Sequence, residues 1–285
     1  MPGARELRNA HIVGTSCGIG LATVKRFNND LNLRIYAASR TCSEELLRSF
    51  RFIRTDVTSN ASVNNLCEEV LRDCNKLDIL IHAAGNAVAG PIEDTSIEEA
   101  QAQFDTNFWG VVRVTSGLLP SMRRSGGGLI IVIGSMAGMI PLPFQAYYSA
   151  SKFALEDYCE SLAFEVAPYG IRVCLIQPGD IKTDFTANGT MARRFSHDSP
   201  YWEVPKRRGA KLVVQFRVPA KPENFPWVEQ RMKNRKKVAQ RFDNSVSVDR
   251  ALKRTLCKSP PNLRSIFCRC NCHLAPRCVN RPAES

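Results

Sequence analysis

The sequence lacks any apolar run long enough to cross a bilayer, since no stretch approaches the roughly 18 apolar residues that a spanning helix needs. Its first residues, MPGARELRNAHIVG, are charged and hold only a short apolar patch, so they also lack the pattern of a signal peptide. We therefore expect no membrane-spanning helix and a cytoplasmic location. With 285 residues, 44% of them hydrophobic and 23% charged, the chain has the composition of a soluble globular protein.

Acidic residues are scarce in the last third of the chain. Residues 191–285 hold 22 Lys and Arg against 7 Asp and Glu, whereas the preceding residues hold 17 against 20. Such a basic segment suits an anionic membrane surface, a nucleic acid, or a solvated lid over an active site. We favour the lid, expect no nucleic-acid partner, and leave peripheral membrane contact open.

The 11 cysteines are expected to be reduced thiols, because the sequence shows no export signal. Cys268, Cys270 and Cys272 are crowded together near the end of the chain. Their spacing lacks the paired two-residue gaps of common zinc sites. No metal site is predicted.

A glycine-rich turn follows the first strand candidate. The strand AHIVG is followed by TSCGIG and an apolar-periodic helix, which places Gly14, Gly18 and Gly20 between strand and helix. Glycines there allow a sharp turn and a close approach to a pyrophosphate at the helix N-terminus. The turn therefore predicts a dinucleotide site, with a plain strand-to-helix turn as the alternative.

The second strand, LRIYAAS, lacks a carboxylate at its end. An acid there would bind the adenosine ribose of NAD, but Ser39 and Arg40 stand in its place and the first acid is Glu44. A hydroxyl and a guanidinium suit a ribose 2′-phosphate, which favours NADP over NAD. The alternative for Arg40 is a solvated turn residue.

Strands and helices alternate up to about residue 190. The strands FRFIRTDV, LDILIHAAG, SGGGLIIVIGS and IRVCLIQPG are separated by helices, which are predicted at 96–123 with Ser96 as N-cap and at 147–167. The pattern predicts an α/β fold: a doubly wound parallel sheet of about seven strands with helices on both faces. We expect one domain over 1–285, with a lid insertion at 190–245, a last strand at 262–270 and a frayed tail at 275–285.

Three side chains suggest a proton-transfer site. Tyr148 and Lys152 are four residues apart and share one face of a helix, and Ser135 ends a strand 13 residues before the tyrosine. Asn107 stands in the middle of the long helix, where an amide has low propensity. It opens the helix hydrogen-bond ladder, holds a water, or is simply solvated.

These motifs together resemble the short-chain dehydrogenase/reductase family, from about residue 8 to Cys268. The segments that carry the resemblance are GTSCGIG, Asp56-Val57, HAAG at 82–85, NFWG around Asn107, Ser135, YSASK from Tyr148, and Pro178-Gly179. The branch most similar in these segments contains hydroxysteroid and retinol dehydrogenases. The resemblance implies a Rossmann-type, nucleotide-binding oxidoreductase that interconverts an alcohol and a carbonyl, with an apolar substrate such as a steroid, retinoid or lipid.

The resemblance also implies roles for single residues. Tyr148 would be the acid/base, with its pKa lowered by Lys152 and the nicotinamide charge; Ser135 would bind the substrate oxygen and Asn107 would hold a relay water. The cofactor-binding residues it implies are Gly14, Ser16, Gly18, Ile19, Gly20, Ser39, Arg40, Asp56, Val57, Ala84, Gly85, Tyr148, Lys152, Pro178, Gly179, Ile181 and Thr183.

Two positions depart from the family pattern. Val13 stands where a threonine is usual, and His82-Ala83 replace Asn-Asn. We expect His82 to be a packed histidine at the end of its strand. Substrate choice is expected to depend on 141–145, the segment after Gly179 and 190–245, and pairing into a homodimer or homotetramer is possible through the long helices. The alternative function is a non-catalytic NADP-binding scaffold whose basic last third binds an anionic partner.

Overall fold

The structure is a computed structural model, which describes residues 7–29, 32–42, 50–74, 76–179, 181, 183, 185 and 188–204. The predicted last strand at 262–270, the cysteine cluster and most of the predicted lid lie outside these residues. Within them, no helix is long and apolar enough to cross a membrane. No disulfide joins the cysteines that the structure describes, which are Cys17, Cys42, Cys67, Cys74, Cys159 and Cys174.

Six parallel strands form the main sheet, in the order β3-β2-β1-β4-β6-β7. They are β1 (Arg8–Val13), β2 (Leu33–Ser39), β3 (Arg51–Arg54), β4 (Ile79–His82), β6 (Gly128–Ile133) and β7 (Ile171–Ile176). Two short strands, β5 (Val88–Ala89) and β8 (Thr190–Met191), pair in parallel outside this sheet and were not predicted. The doubly wound α/β prediction is confirmed.

Helices cover both faces of the sheet. They are α1 (Gly18–Phe27), α2 (Asn60–Asp73), α3 (Ile97–Phe104), α4 (Gly110–Arg124) and α5 (Ala146–Val166). One face packs against apolar residues of α2, α4 and α5. The other face, where Ile12 and Ile81 point, packs against Val24 and Phe27 of α1. Burial on both faces explains why the central strands are nearly continuous apolar runs.

The predicted helix 96–123 is interrupted by one π-helical turn, Asp105–Trp109. Ser96 caps the N-terminus of α3 in a capping box with Glu99, as its sequence position indicates. Arg113 holds the turn from α4: its guanidinium pairs with the Asp105 carboxylate at 2.6 Å and donates to Val57 O at 3.3 Å. The turn is therefore tied to the end of β3.

Two histidines are buried inside the fold. His82 is 2% exposed and its Nε2 lies 3.0 Å from Thr115 Oγ1, so the prediction of a packed histidine is confirmed. His11 on β1 is fully buried. Burial lowers the pKa of His11 to about 4. Burial, together with the charge of His11, lowers the pKa of His82 to about 3.

These imidazoles are expected to make the fold sensitive to mild acid. Because the unfolded chain binds protons near pH 6.5 and the folded protein binds them only below the lowered pKa values, stability falls as the pH falls below 6.5. Between pH 7 and 5 the free energy of unfolding should drop by about 2 kcal/mol per histidine. Urea unfolding across this range measures it.

His82→Asn should remove about half of that pH dependence, since Asn keeps an amide opposite Thr115 but does not titrate. Gln101→Ala, on the exposed side of α3, provides the control and should leave the slope unchanged, because neither side chain titrates. Parallel pH profiles for His82→Asn and the wild type would contradict the assignment.

Candidate active site

The glycine turn after β1 is packed against the turn after β4. Gly14 has a φ of 89°, and a Cβ atom there would lie 2.3 Å from Ala84 N. Gly18 has a φ of 56°, which disfavours any side chain. A Cβ on Gly20 would lie 2.0 Å from Gly14 O. The glycines therefore let α1 and two strand ends meet at a crevice, where a doubly wound sheet reverses its strand order.

A cavity of about 300 Å3 opens at this crevice. Two predicted site residues do not line it: Gly20 lies beneath Gly14, and Asn107 lies behind Asn86. All the others do, namely Gly14, Ser16, Gly18, Ile19, Ser39, Arg40, Asp56, Val57, Ala84, Gly85, Ser135, Tyr148, Lys152, Pro178, Gly179, Ile181 and Thr183.

At one end of the cavity, Arg40 is exposed while Ser39 is 7% exposed. The Ser39 hydroxyl donates to Thr41 O at 2.7 Å, so its proton is committed within the protein. Asp56 Oδ1 accepts from Thr58 N–H and from the Thr58 hydroxyl. These hydrogen bonds outweigh burial and, with a smaller contribution from the Arg40 charge, lower the pKa of Asp56. Among the described residues that line this end, Arg40 is thus the accessible cation.

Asn107 lies on the inner side of the π turn and is fully buried. Its Oδ1 accepts from Asn86 N–H at 2.8 Å, and its Nδ2 donates to Asn86 O at 3.0 Å and to Ser151 Oγ at 3.1 Å. Gln103, also fully buried, donates to the same Asn86 O at 3.3 Å. Of the three interpretations of Asn107, a solvated amide is excluded, and the helix around it has π-helical hydrogen bonds in place of α-helical ones.

Lys152 and Tyr148 lie on one face of α5 and meet Ser135 at the end of β6. Lys152 is 4% exposed, and its Nζ donates to Ile133 O at 3.0 Å. This ammonium lies 5.9 Å from the centre of the Tyr148 ring. Ser135 Oγ accepts from Ala137 N–H at 3.1 Å, which leaves the hydroxyl proton for another acceptor.

Burial dominates the proton affinities of this group. It lowers the pKa of Lys152 to about 8. It raises the pKa of Tyr148, although a hydrogen bond with the Ser135 side chain lowers it. Burial removes the hydration that stabilises the charged phenolate, so it favours the neutral phenol. The pKa of Tyr148 was expected to be lowered by Lys152, but in the protein without cofactor burial raises it.

Sequence reasoning missed individual residues at the other, apolar end of the cavity. They include Met136, Ile140, Leu142, Gln145 and Phe185. Two of them lie within 141–145 and one follows Gly179. The sequence therefore indicated the segments that line this end, but not which of their side chains face the cavity. The Phe185 ring lies 6.0 Å from the Tyr148 ring, which brings this wall next to the polar group.

The first part of the predicted lid packs beside this end. Thr190 and Ala192 donate backbone hydrogen bonds to Ala87 O and Ala89 O. The Tyr201 hydroxyl donates to Glu93 Oε2 at 2.6 Å. Among the residues that the structure describes, no group of three or more His, Cys, Asp or Glu side chains forms a metal site.

Residues 8–193 match the model of the short chain dehydrogenase family. This chain belongs to that family. Its members are oxidoreductases acting on CH–OH or C=O groups, so the fold and the enzyme class expected from the sequence are both confirmed.

Several relatives are reductases or dehydrogenases by name. A 3-ketodihydrosphingosine reductase of Bacteroides thetaiotaomicron is 39% identical over 190 residues, covering 67% of this chain and 70% of the relative. Retinol dehydrogenase 8 of Homo sapiens is 35% identical, covering 62% and 60%. The 17-beta-hydroxysteroid dehydrogenase type 1 of Homo sapiens is also 35% identical, covering 61% and 57%.

Solved structures show the same fold. A short-chain dehydrogenase from Streptomyces avermitilis superposes with a TM-score of 0.63 at 25% identity, covering 82% of this chain and 98% of the other. A 3-ketoacyl-(acyl-carrier-protein) reductase from Brucella melitensis, complexed with NADH, gives a TM-score of 0.60 at 25% identity, covering 65% and 81%.

Asn107→Ala is expected to destabilise the enzyme because it leaves the buried Asn86 N–H without its acceptor. The free energy of unfolding should fall by about 1–3 kcal/mol. Urea unfolding followed by circular dichroism measures the change. Gln101→Ala on the exposed side of α3 is the control and should stay within about 0.5 kcal/mol of the wild type; an equal, small effect of both substitutions would contradict the role of Asn107.

Proposed function

We propose that this enzyme interconverts an alcohol and a carbonyl with NADP(H), using Tyr148 as the acid/base. One observation carries the proposal: Ser135, Tyr148 and Lys152 line the same cavity as the glycine turn. A polar, protonatable group and a dinucleotide-shaped crevice are then parts of a single site. Neither part alone distinguishes a reductase from other nucleotide-binding proteins.

The cavity fits a dinucleotide in its chemistry. Gly14 and Gly18 bring backbone close to the N-terminus of α1, which carries no acidic residue in its first turn and so favours an anionic pyrophosphate. Arg40 lies at one end and Lys152 towards the other. When bound, a nicotinamide cofactor supplies or accepts the hydride.

Side chains of the protein transfer the proton to and from the substrate oxygen. With its pKa raised by burial, Tyr148 holds its proton at neutral pH and is suited to donate it to the oxygen of a carbonyl undergoing reduction. Ser135 donates its hydroxyl to the same oxygen and so stabilises the developing charge. In the oxidation direction, Tyr148 accepts the proton, and the positive Lys152 stabilises the phenolate.

Asn107 and Gly85 provide a route for that proton. A Cβ atom on Gly85 would lie 3.4 Å from Asn107 Oδ1 and 3.8 Å from Lys152 Nζ, so the missing side chain leaves a gap between the two polar atoms. We propose that a water in that gap bridges the two. Asn107 therefore remains our proposed relay residue, held in place by Asn86 and Ser151.

The substrate is proposed to be an apolar alcohol or ketone. Met136, Ile140, Leu142 and Phe185 form the wall beside Tyr148, which suits a hydrocarbon skeleton. The names of the relatives refer to a keto-lipid, a retinoid and a steroid, all of them largely apolar. Residues 190–204, packed next to this wall, are proposed to be part of the substrate lid.

Tyr148→Phe is expected to lower kcat at least about 1000-fold, because the proton donor is lost. NADPH affinity, measured by fluorescence titration, should change less than about threefold, because the ring stays in place. The adjacent Tyr147→Phe is the matched control and should keep near-normal turnover in a panel of alcohols and ketones. Substantial turnover by Tyr148→Phe would exclude the tyrosine as acid/base.

Arg40→Ala tests the preference for NADP. Loss of the guanidinium opposite the 2′-phosphate should lower kcat/KM for NADPH about tenfold or more while kcat/KM for NADH changes little. Arg124→Ala, at the exposed end of α4, should leave the ratio unchanged. An unaltered ratio in Arg40→Ala, or a wild-type preference for NADH, would contradict this assignment.

Several expectations stay predictions. They are the cytoplasmic location, the homodimer or homotetramer, and peripheral membrane contact through the basic last third. The alternative scaffold role would require tight NADPH binding without turnover of any ketone or alcohol in the panel.

A further inference from the structure

Gln145 carries a polar group that the proposed chemistry does not use. It is 8% exposed and lines the cavity. Within the described part of the chain, its side-chain amide makes no hydrogen bond, not even as the N-cap of α5. Because Gln145 lines the cavity, a group that enters the cavity can pair with this amide and gain affinity.

The backbone around Gln145 is fixed. Gln145 N–H donates to Leu142 O at 3.1 Å, and Gln145 O accepts from Ser149 N–H at 2.8 Å. The preceding Phe144 has a φ of 61°, an unfavourable conformation for a large side chain, and its carbonyl accepts from Gly90 N–H at 2.8 Å. Such a conformation persists only where its surroundings impose it, and it is often found at binding sites.

The surroundings of the amide define what it can bind. Gln145 precedes Tyr148 by three residues, so both side chains lie at the first turn of α5 and face the same cavity. Ile140, Leu142 and Phe185 share this end of the cavity. Among the described lining residues, only Arg40, Asp56 and Lys152 are charged. An uncharged hydrogen-bonding group near the reacting carbon fits this wall.

We infer that Gln145 is a specificity residue that binds a second polar group, such as a hydroxyl, close to the reacting carbonyl of an otherwise apolar substrate. This inference rests on the proposed function. The amide either accepts a hydrogen bond from a hydroxyl through Oε1 or donates one to the hydroxyl oxygen through Nε2. A plain ketone of the same length leaves the amide unpaired, which is how a polar site rejects an analogue that lacks the partner.

Two matched ketones test the inference: decan-3-one and 1-hydroxydecan-3-one, with NADPH consumption as readout. The wild type should prefer the hydroxyketone by about tenfold in kcat/KM, mainly through KM. Gln145→Leu should abolish that preference, and Gln145→Asn, which keeps an amide, should restore part of it. Gln101→Leu, on the exposed side of α3, should keep the wild-type ratio.

A binding measurement separates this inference from the proposed function. The Kd of each ketone is measured by fluorescence for NADPH-loaded Tyr148→Phe, with and without Gln145→Leu. If no ketone is turned over but the binding preference depends on Gln145, the proposed function fails and the specificity residue stands. Turnover of both ketones with a ratio that Gln145→Leu does not change, or no wild-type preference in turnover and binding, overturns the inference.

Discussion

The site depends on one costly feature, the buried ammonium of Lys152. Taking this charge out of water is unfavourable, and burial accordingly lowers its pKa to about 8. Ile133 O, at the end of β6, accepts its hydrogen bond, so strand and helix must be held in one register. The same helix turn carries Ser151, whose hydroxyl accepts from Asn107 Nδ2. The π turn, the sheet and α5 are therefore fixed relative to one another around a single cation.

Backbone contact is the second constraint. Gly14 meets Ala84 with no room for a side chain, and Gly110 meets Val57, where a Cβ atom would lie 2.8 Å from Cγ2. Because of these contacts, the carboxyl ends of β1, β3 and β4 lie together at one crevice. An active site that must hold a flat cofactor and a substrate side by side needs this approach, because larger side chains would fill the space.

Some of the site was predictable from single positions and some was not. The Gly14 turn, Arg40, and the Tyr148 and Lys152 pair follow from spacing within one strand or one helix, and their neighbours along the chain suffice to place them. Ser39 was assigned to the cofactor, but its proton is donated to Thr41 O, a contact that depends on how the chain turns after β2. Gly20 was assigned likewise, although it supports Gly14 from beneath. The raised pKa of Tyr148 was also unexpected, because burial is a property of packing rather than of spacing.

By itself, the sequence determined the order of strands and helices, the doubly wound sheet, the glycine crevice and the three polar residues beside it. It did so because apolar periodicity, glycine and helix spacing act over a few residues. Only the tertiary structure decided that Asn107 hydrogen-bonds Asn86 from a π turn. The same holds for Gln145, which lines the cavity without a side-chain hydrogen bond to any described residue. The tertiary structure also decided which apolar side chains form the substrate wall. Those facts arise where segments distant in sequence pack together, and local pattern carries no information about such contacts.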